Sequence, residues 1–135
     1  EAHWQESAPE FHLLMVGLTV ARDHLYRVLE ARVDRMVQLG FMEEVKALLD
    51  AGYGAELSSM PGIGYRHFVG VIRGRWSLAH AVSATKRDTK RYAKRQWTWF
   101  AREPEIRWVD VHAAGGSEGT AELIGKLIEQ GGFLP

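Results

Sequence analysis

Apolar positions along the chain follow two periods. His12–Leu18 (HLLMVGL) is a nearly unbroken apolar run, of a length that suits a strand buried on both faces. From Leu25 the period changes. Leu25, Val28, Leu29, Val33, Met36 and Val37 recur at three- and four-residue steps and form one helical stripe. Thr19 is placed to cap that helix, and Gly40 to stop it just past its end. A second helix follows, with Met42, Val45, Leu48 and Leu49 inward and Gly52 at its end. Residues 53–64 hold Gly54, Pro61, Gly62 and Gly64 and read as a loop. A short helix over Tyr65–Arg73 runs to Gly74. Ser77 is a good N-cap for a long helix reaching about Arg102, which Pro104 terminates. Ile106–Val111 predicts a second short strand. Gly115 and Gly116 make a turn, and Ser117 or Thr120 caps a last helix with Leu123, Ile124, Leu127 and Ile128 inward. Residues 1–11 carry Pro9 and no period, so they read as a linker remnant; residues 12–135 read as one structured segment.

The pattern therefore predicts a helix-rich α/β chain with two short strands. Two strands do not make a self-sufficient sheet. A strand buried on both faces needs neighbours, which implies either a larger α/β protein or self-association of the chain. At 135 residues and 46% apolar content, the chain is large and apolar enough for one domain with a real core. It has no cysteine, so disulfides, cysteine-based zinc sites and a cysteine nucleophile are excluded. No apolar run approaches the length of a membrane span. The first residues, EAHWQESAPE, lack the basic and apolar regions of a signal peptide, so the expected location is cytoplasmic.

Charge changes the picture. The formal net charge is zero, yet the charges are sorted along the chain. Residues 58–102 hold ten basic and one acidic side chain, while both flanks are acidic. Such asymmetry points to a polyanionic partner for the middle third. Most of the basic groups lie in KRDTKRYAKRQWTWF (Lys86–Phe100). At 100° per residue, Lys86, Lys90, Lys94, Arg87, Arg91, Arg102 and Arg95 fill one half of a helix. Tyr92, Trp99, Gln96, Thr89, Phe100 and Ala93 fill the other, with Trp97 at the border. One half is a cationic ridge and the other an aromatic packing face. A solvated charged face is the simplest explanation for such a run. Only Asp88 offsets the ridge, however, and like charges one turn apart repel. Nucleic-acid backbone explains the run better than either solvent or an acidic protein or membrane surface.

The loop Met60–His67 (MPGIGYRH) has glycines that would let a ligand approach, and the following helix N-terminus suits an anion; on shape alone, a tight turn before a helix explains it better. Arg66 is placed to reach a carboxylate or a phosphate. The P-loop pattern GxxxxGK[ST] does not occur in the 135 residues. The six histidines show no metal-ligand spacing, and Glu43 and Glu44 are explained by the dipole of the helix they begin.

Several segments together resemble the C-terminal half of the tRNA dimethylallyltransferases, or tRNA isopentenylpyrophosphate transferases. They are LYRVLEARVDRMVQLGFMEEVKALLDAG (Leu25–Gly52), GIGYR (Gly62–Arg66), TKRYAKRQWTWF (Thr89–Phe100) and WVD (Trp108–Asp110). The resemblance implies that residues 12–135 are the C-terminal segment of a P-loop-kinase-like α/β core. It implies transfer of a dimethylallyl group from its diphosphate to the exocyclic amine of the adenosine 3′ of the tRNA anticodon. It further implies magnesium, held with the catalytic carboxylate and the P-loop by an N-terminal part. No catalytic residue is then expected among these 135, and the chain alone is expected to be inactive. Its expected contribution is contact with the tRNA anticodon stem-loop through Gly64, Tyr65, Arg66, Arg87, Lys90, Arg91, Lys94, Arg95 and Gln96. Pro61 stands where the family often has Arg or Gln, which leaves Arg66 as the nearest cation to the glycine loop. The alternative is a non-catalytic helical RNA-binding module.

Overall fold

The structure is a computed structural model, which describes residues 13–54, 57 and 60–131. The expected linker 1–11 and His12 lie outside the described residues. The element order is β1 (Val16–Thr19), α1 (Arg22–Gln38), α2 (Phe41–Asp50), α3 (Tyr65–Ile72), α4 (Leu78–Phe100), β2 (Arg107–Asp110) and α5 (Gly116–Gln130). This is the helix-rich α/β chain that the periodicity predicts. Ala21–Trp99 forms one compact unit, and the segments on either side of it form a second.

In the second unit, β1 and β2 pair in parallel, with Val16 opposite Arg107 and Thr19 opposite Asp110. Gly17 faces Trp108 across the ladder. A Cβ on Gly17 would lie 2.7 Å from the Trp108 ring, so only glycine lets the indole lie over the strand. The strand expected to be buried on both faces is shorter than expected and open. Leu18 is 56% exposed, because β2 is the one strand partner that β1 has among the described residues. Thr19 does not cap α1. It belongs to β1, where its carbonyl accepts the Val111 N–H, and Ala21 stands at the N-cap without a side-chain bond. Neither Ser117 nor Thr120 caps α5. Gly115 takes the N-cap, and Thr120 is buried one turn in, donating to the Gly116 carbonyl at 2.6 Å.

The larger unit holds the core of Phe41, Val45, Met60, Phe68, Val69 and Ala81. Phe41 meets Phe68 and Tyr65 edge-on, with ring centroids 4.9 and 5.1 Å apart. Gly40 and Gly52 end α1 and α2 with positive φ, as expected. The stripe of α1 is largely covered, although Val28 is half exposed. Ser77 caps α4, its Oγ accepting the His80 N–H at 3.2 Å. No helix among the described residues is long and apolar enough to cross a membrane.

Candidate nucleic-acid interface

The glycine loop leads into α3 through Gly64, whose φ is +101°. That conformation strains any residue with a Cβ. A Cβ there would also stand 3.4 Å from the Phe41 ring. Gly64 thus lets the loop lie on the core while the chain turns into the helix. Tyr65 begins α3 and is half-buried, its hydroxyl donating to Glu44 at 2.5 Å. That hydrogen bond holds the phenol proton and raises the Tyr65 pKa.

Arg66 and His67 follow, and both reach α4. Arg66 donates from Nη2 to Asp88 Oδ2 at 2.5 Å, and His67 Nε2 lies 3.0 Å from the same oxygen. Nε2 is also 3.4 Å from Arg66 Nε. The shorter contact, to a carboxylate, places the ring proton on Nε2. His67 Nδ1 is then a buried acceptor without a partner among the described residues. Burial pushes the His67 pKa below the histidine range, and Arg66 and Arg87 add to this against the pull of Asp88. Burial raises the Asp88 carboxyl, but hydrogen bonds from Arg66, Arg87 and His67 outweigh it, and the net pKa is low.

The ridge of α4 divides into three groups. Lys86 pairs with Asp34 at 2.6 Å, and Lys90 pairs with Glu30. These two rungs, one turn apart, tie α4 to α1. Lys90 lowers the Glu30 pKa, chiefly through its hydrogen bond. Arg87 and Arg91 sit beside Asp88, at 3.3 and 3.7 Å. Lys94 has no carboxylate partner among the described residues, and neither does Arg95, which lies over the Tyr92 ring at 5.7 Å. Gln96 is exposed.

Two expectations change here. The ridge is not unmixed, because acids from α1 meet two of its lysines; their sequence distance of more than 50 residues hid them. The aromatic half is not a packing face: Trp99 is 75% exposed, and Tyr92 and Phe100 are about half exposed. The indole that does pack is Trp97, from the border, against Tyr26 at 6.3 Å, with Arg22 over both rings. Asp88 and His67 were legible only as an isolated acid and a scattered histidine. The remaining site residues gather in the same unit, with Gly64, Tyr65 and Arg66 at the start of α3 and the cations along α4. No group of three or more His, Asp or Glu side chains suited to a metal ion occurs among the described residues.

Comparison with known proteins shows the family. The family model for IPP transferase matches residues 1–103. The tRNA dimethylallyltransferase of Desulforudis audaxviator is 45% identical over 93% of this chain and 41% of its own length. That of Pelotomaculum thermopropionicum is 46% identical over 92% of this chain and 40% of its own length. The chain thus spans about two fifths of these curated relatives. The crystal structure of a tRNA delta(2)-isopentenylpyrophosphate transferase from Staphylococcus epidermidis superposes with a TM-score of 0.80. It is 32% identical over 87% of this chain and 38% of its own. A full-length tRNA isopentenylpyrophosphate transferase from Bacillus halodurans gives 0.71, at 40% identity over 75% of this chain and 33% of its own. With the glycine turn, the α3–α4 cluster and the cationic helix in one unit, and with this match over most of its length, the chain belongs to the IPP transferase family.

Proposed function

We propose that this chain is the tRNA-gripping C-terminal segment of a tRNA prenyltransferase. The whole enzyme would move a dimethylallyl group from its diphosphate to the exocyclic amine of the adenosine 3′ of the anticodon. The segment supplies RNA contact through α4 and the start of α3. One observation carries the reading. In a chain whose relatives are tRNA dimethylallyltransferases, the outward side of α4 keeps Lys94, Arg95 and the exposed arms of Arg87 and Arg91 beyond the reach of the α1 acids. Phosphates are the natural counter-charge for such a surface, and they position an RNA without reading its sequence. Prenyl-diphosphate chemistry belongs outside these 135 residues, whose sequence carries no GxxxxGK[ST] loop.

The test uses an anticodon stem-loop RNA, dimethylallyl diphosphate with magnesium, the 135-residue chain and the intact gene product. The intact product adds one dimethylallyl mass to the RNA. The 135 residues bind the hairpin with a salt-dependent affinity and transfer nothing. Turnover by the 135 residues, or no RNA binding by either protein, would contradict the reading.

A further inference from the structure

Asp88 is the one acid within the ridge, and its place is unusual for a helix that faces RNA. Its side chain is 12% exposed, yet it receives four cationic or polar groups from two helices. Arg66 and His67 come from α3, and Arg87 and Arg91 from α4. One arginine with His67 would satisfy a largely buried carboxylate. Three arginines on one acid leave the group strongly positive.

The geometry shows where that excess goes. A guanidinium has five N–H donors in a rigid fork. The Arg66, Arg87 and Arg91 side chains stay 47, 55 and 68% exposed, so each keeps part of its surface open to solvent. Left alone, three neighbouring guanidiniums would spread apart by mutual repulsion. The carboxylate at their centre holds them together. His67, buried behind it, donates to the same oxygen as Arg66 and fixes the side of Asp88 from which that arginine arrives.

We infer that Asp88 is a positioning residue, which gathers Arg66, Arg87 and Arg91 into one phosphate-binding cluster for a phosphodiester of the RNA backbone. The inference rests on the RNA-contact reading above. It adds that α3 contributes to the interface through Arg66, and that an acid strengthens binding to a polyanion.

That last point makes the test sharp. Asp88→Asn removes a negative charge at nearly constant shape. If only net charge mattered, RNA would bind the variant more tightly. If Asp88 positions the arginines, the folded variant binds about tenfold more weakly, as expected when one charge-assisted hydrogen bond is broken. Its salt slope falls by about 0.7 for each single-stranded phosphate that the protein no longer neutralises. A merely structural role would lower the melting temperature and leave the slope of the folded protein alone. Arg66→Gln, remote from the ridge in sequence, is the second variant and decides the matter if Asp88→Asn does not fold. It lowers the slope by about one such phosphate.

The measurement is a salt titration of stem-loop RNA binding by the intact gene product, with a melt of each variant. Tighter or equal binding by folded Asp88→Asn, or an unchanged slope in Arg66→Gln, overturns the inference. The RNA-contact reading survives that result provided the unsubstituted protein binds with a steep salt slope. If the unsubstituted protein does not bind, both fall.

Discussion

The two ends of α4 make an instructive contrast. Toward its start the helix carries Ala81, Ala84 and Thr85, and all three are buried. Toward its end it carries Tyr92, Trp99 and Phe100, and all three are at least 45% exposed. Apolarity alone would rank these ends the other way. What differs is the surface opposite. Small side chains let α3 and the Gly64 loop approach the first end closely, and the Thr85 methyl group lies near Gly64. Farther along the helix, α1 meets the edge formed by Lys86, Lys90 and Trp97. The cations follow the same division. Lys86 and Lys90 have acids of the fold as partners, whereas Lys94 and Arg95 have no carboxylate partner among the described residues.

The contrast breaks most visibly at aromatic positions. Phe68 is fully buried in the core it shares with Phe41 and Ala81, so Phe68→Ala should cost about 3–5 kcal/mol. Trp99→Ala removes a larger ring but should stay within about 0.5 kcal/mol, because the indole is already in solvent. Denaturant melts of the two variants check this. A Trp99→Ala loss as large as that of Phe68→Ala would mean that the second end of α4 is packed.

The next effect is at the turn that lets the first end close. Gly64→Ala places a Cβ at φ +101° and against Phe41. It should destabilise by about 1 kcal/mol or more, measured by the same melts. A neutral result would remove the reason for glycine at this position.

Much of this was legible in the sequence. The helices, their glycine stops and the Ser77 cap follow from local rules, because the 3.6-residue period and capping chemistry are written within a few residues. The two missed caps, Thr19 and Ser117 or Thr120, fail for a non-local reason: strand pairing claims Thr19, and a left-handed glycine takes the α5 cap. Site residues were legible as types but not as pairs. Asp34 and Glu30 lie on α1, and His67 reaches Asp88 across two helices. No helical wheel drawn on α4 alone shows them. The aromatic half was misread because a wheel gives direction without saying what stands there.

A smaller effect sharpens the contrast by pH. The ordinary His67 value is 6.5, and burial lowers it in the folded chain. As pH falls through about 6.5 the unfolded chain takes up a proton that the folded chain resists. The unfolded state then binds more protons, and stability declines as pH drops toward the folded value. Asp88, also lowered, contributes stability above 3.8 that is lost only at more acid pH. Melts at about pH 7.5 and pH 5.5 should therefore show a loss that His67→Gln reduces. An identical loss in the variant would mean that His67 is not the group responsible.

The central claim is that the fold commits the inner cations of α4 and leaves the outer ones for RNA. The direct measurement is the salt dependence of stem-loop RNA binding by two double variants of the intact gene product. Lys94→Gln with Arg95→Gln should lower the slope by about 1.4, two single-stranded phosphates at about 0.7 each. Lys86→Gln with Lys90→Gln should leave the slope close to that of the unsubstituted protein, since Asp34 and Glu30 already hold those ammonium groups. An unchanged slope in the outer pair, or a larger drop in the inner pair, would contradict the account.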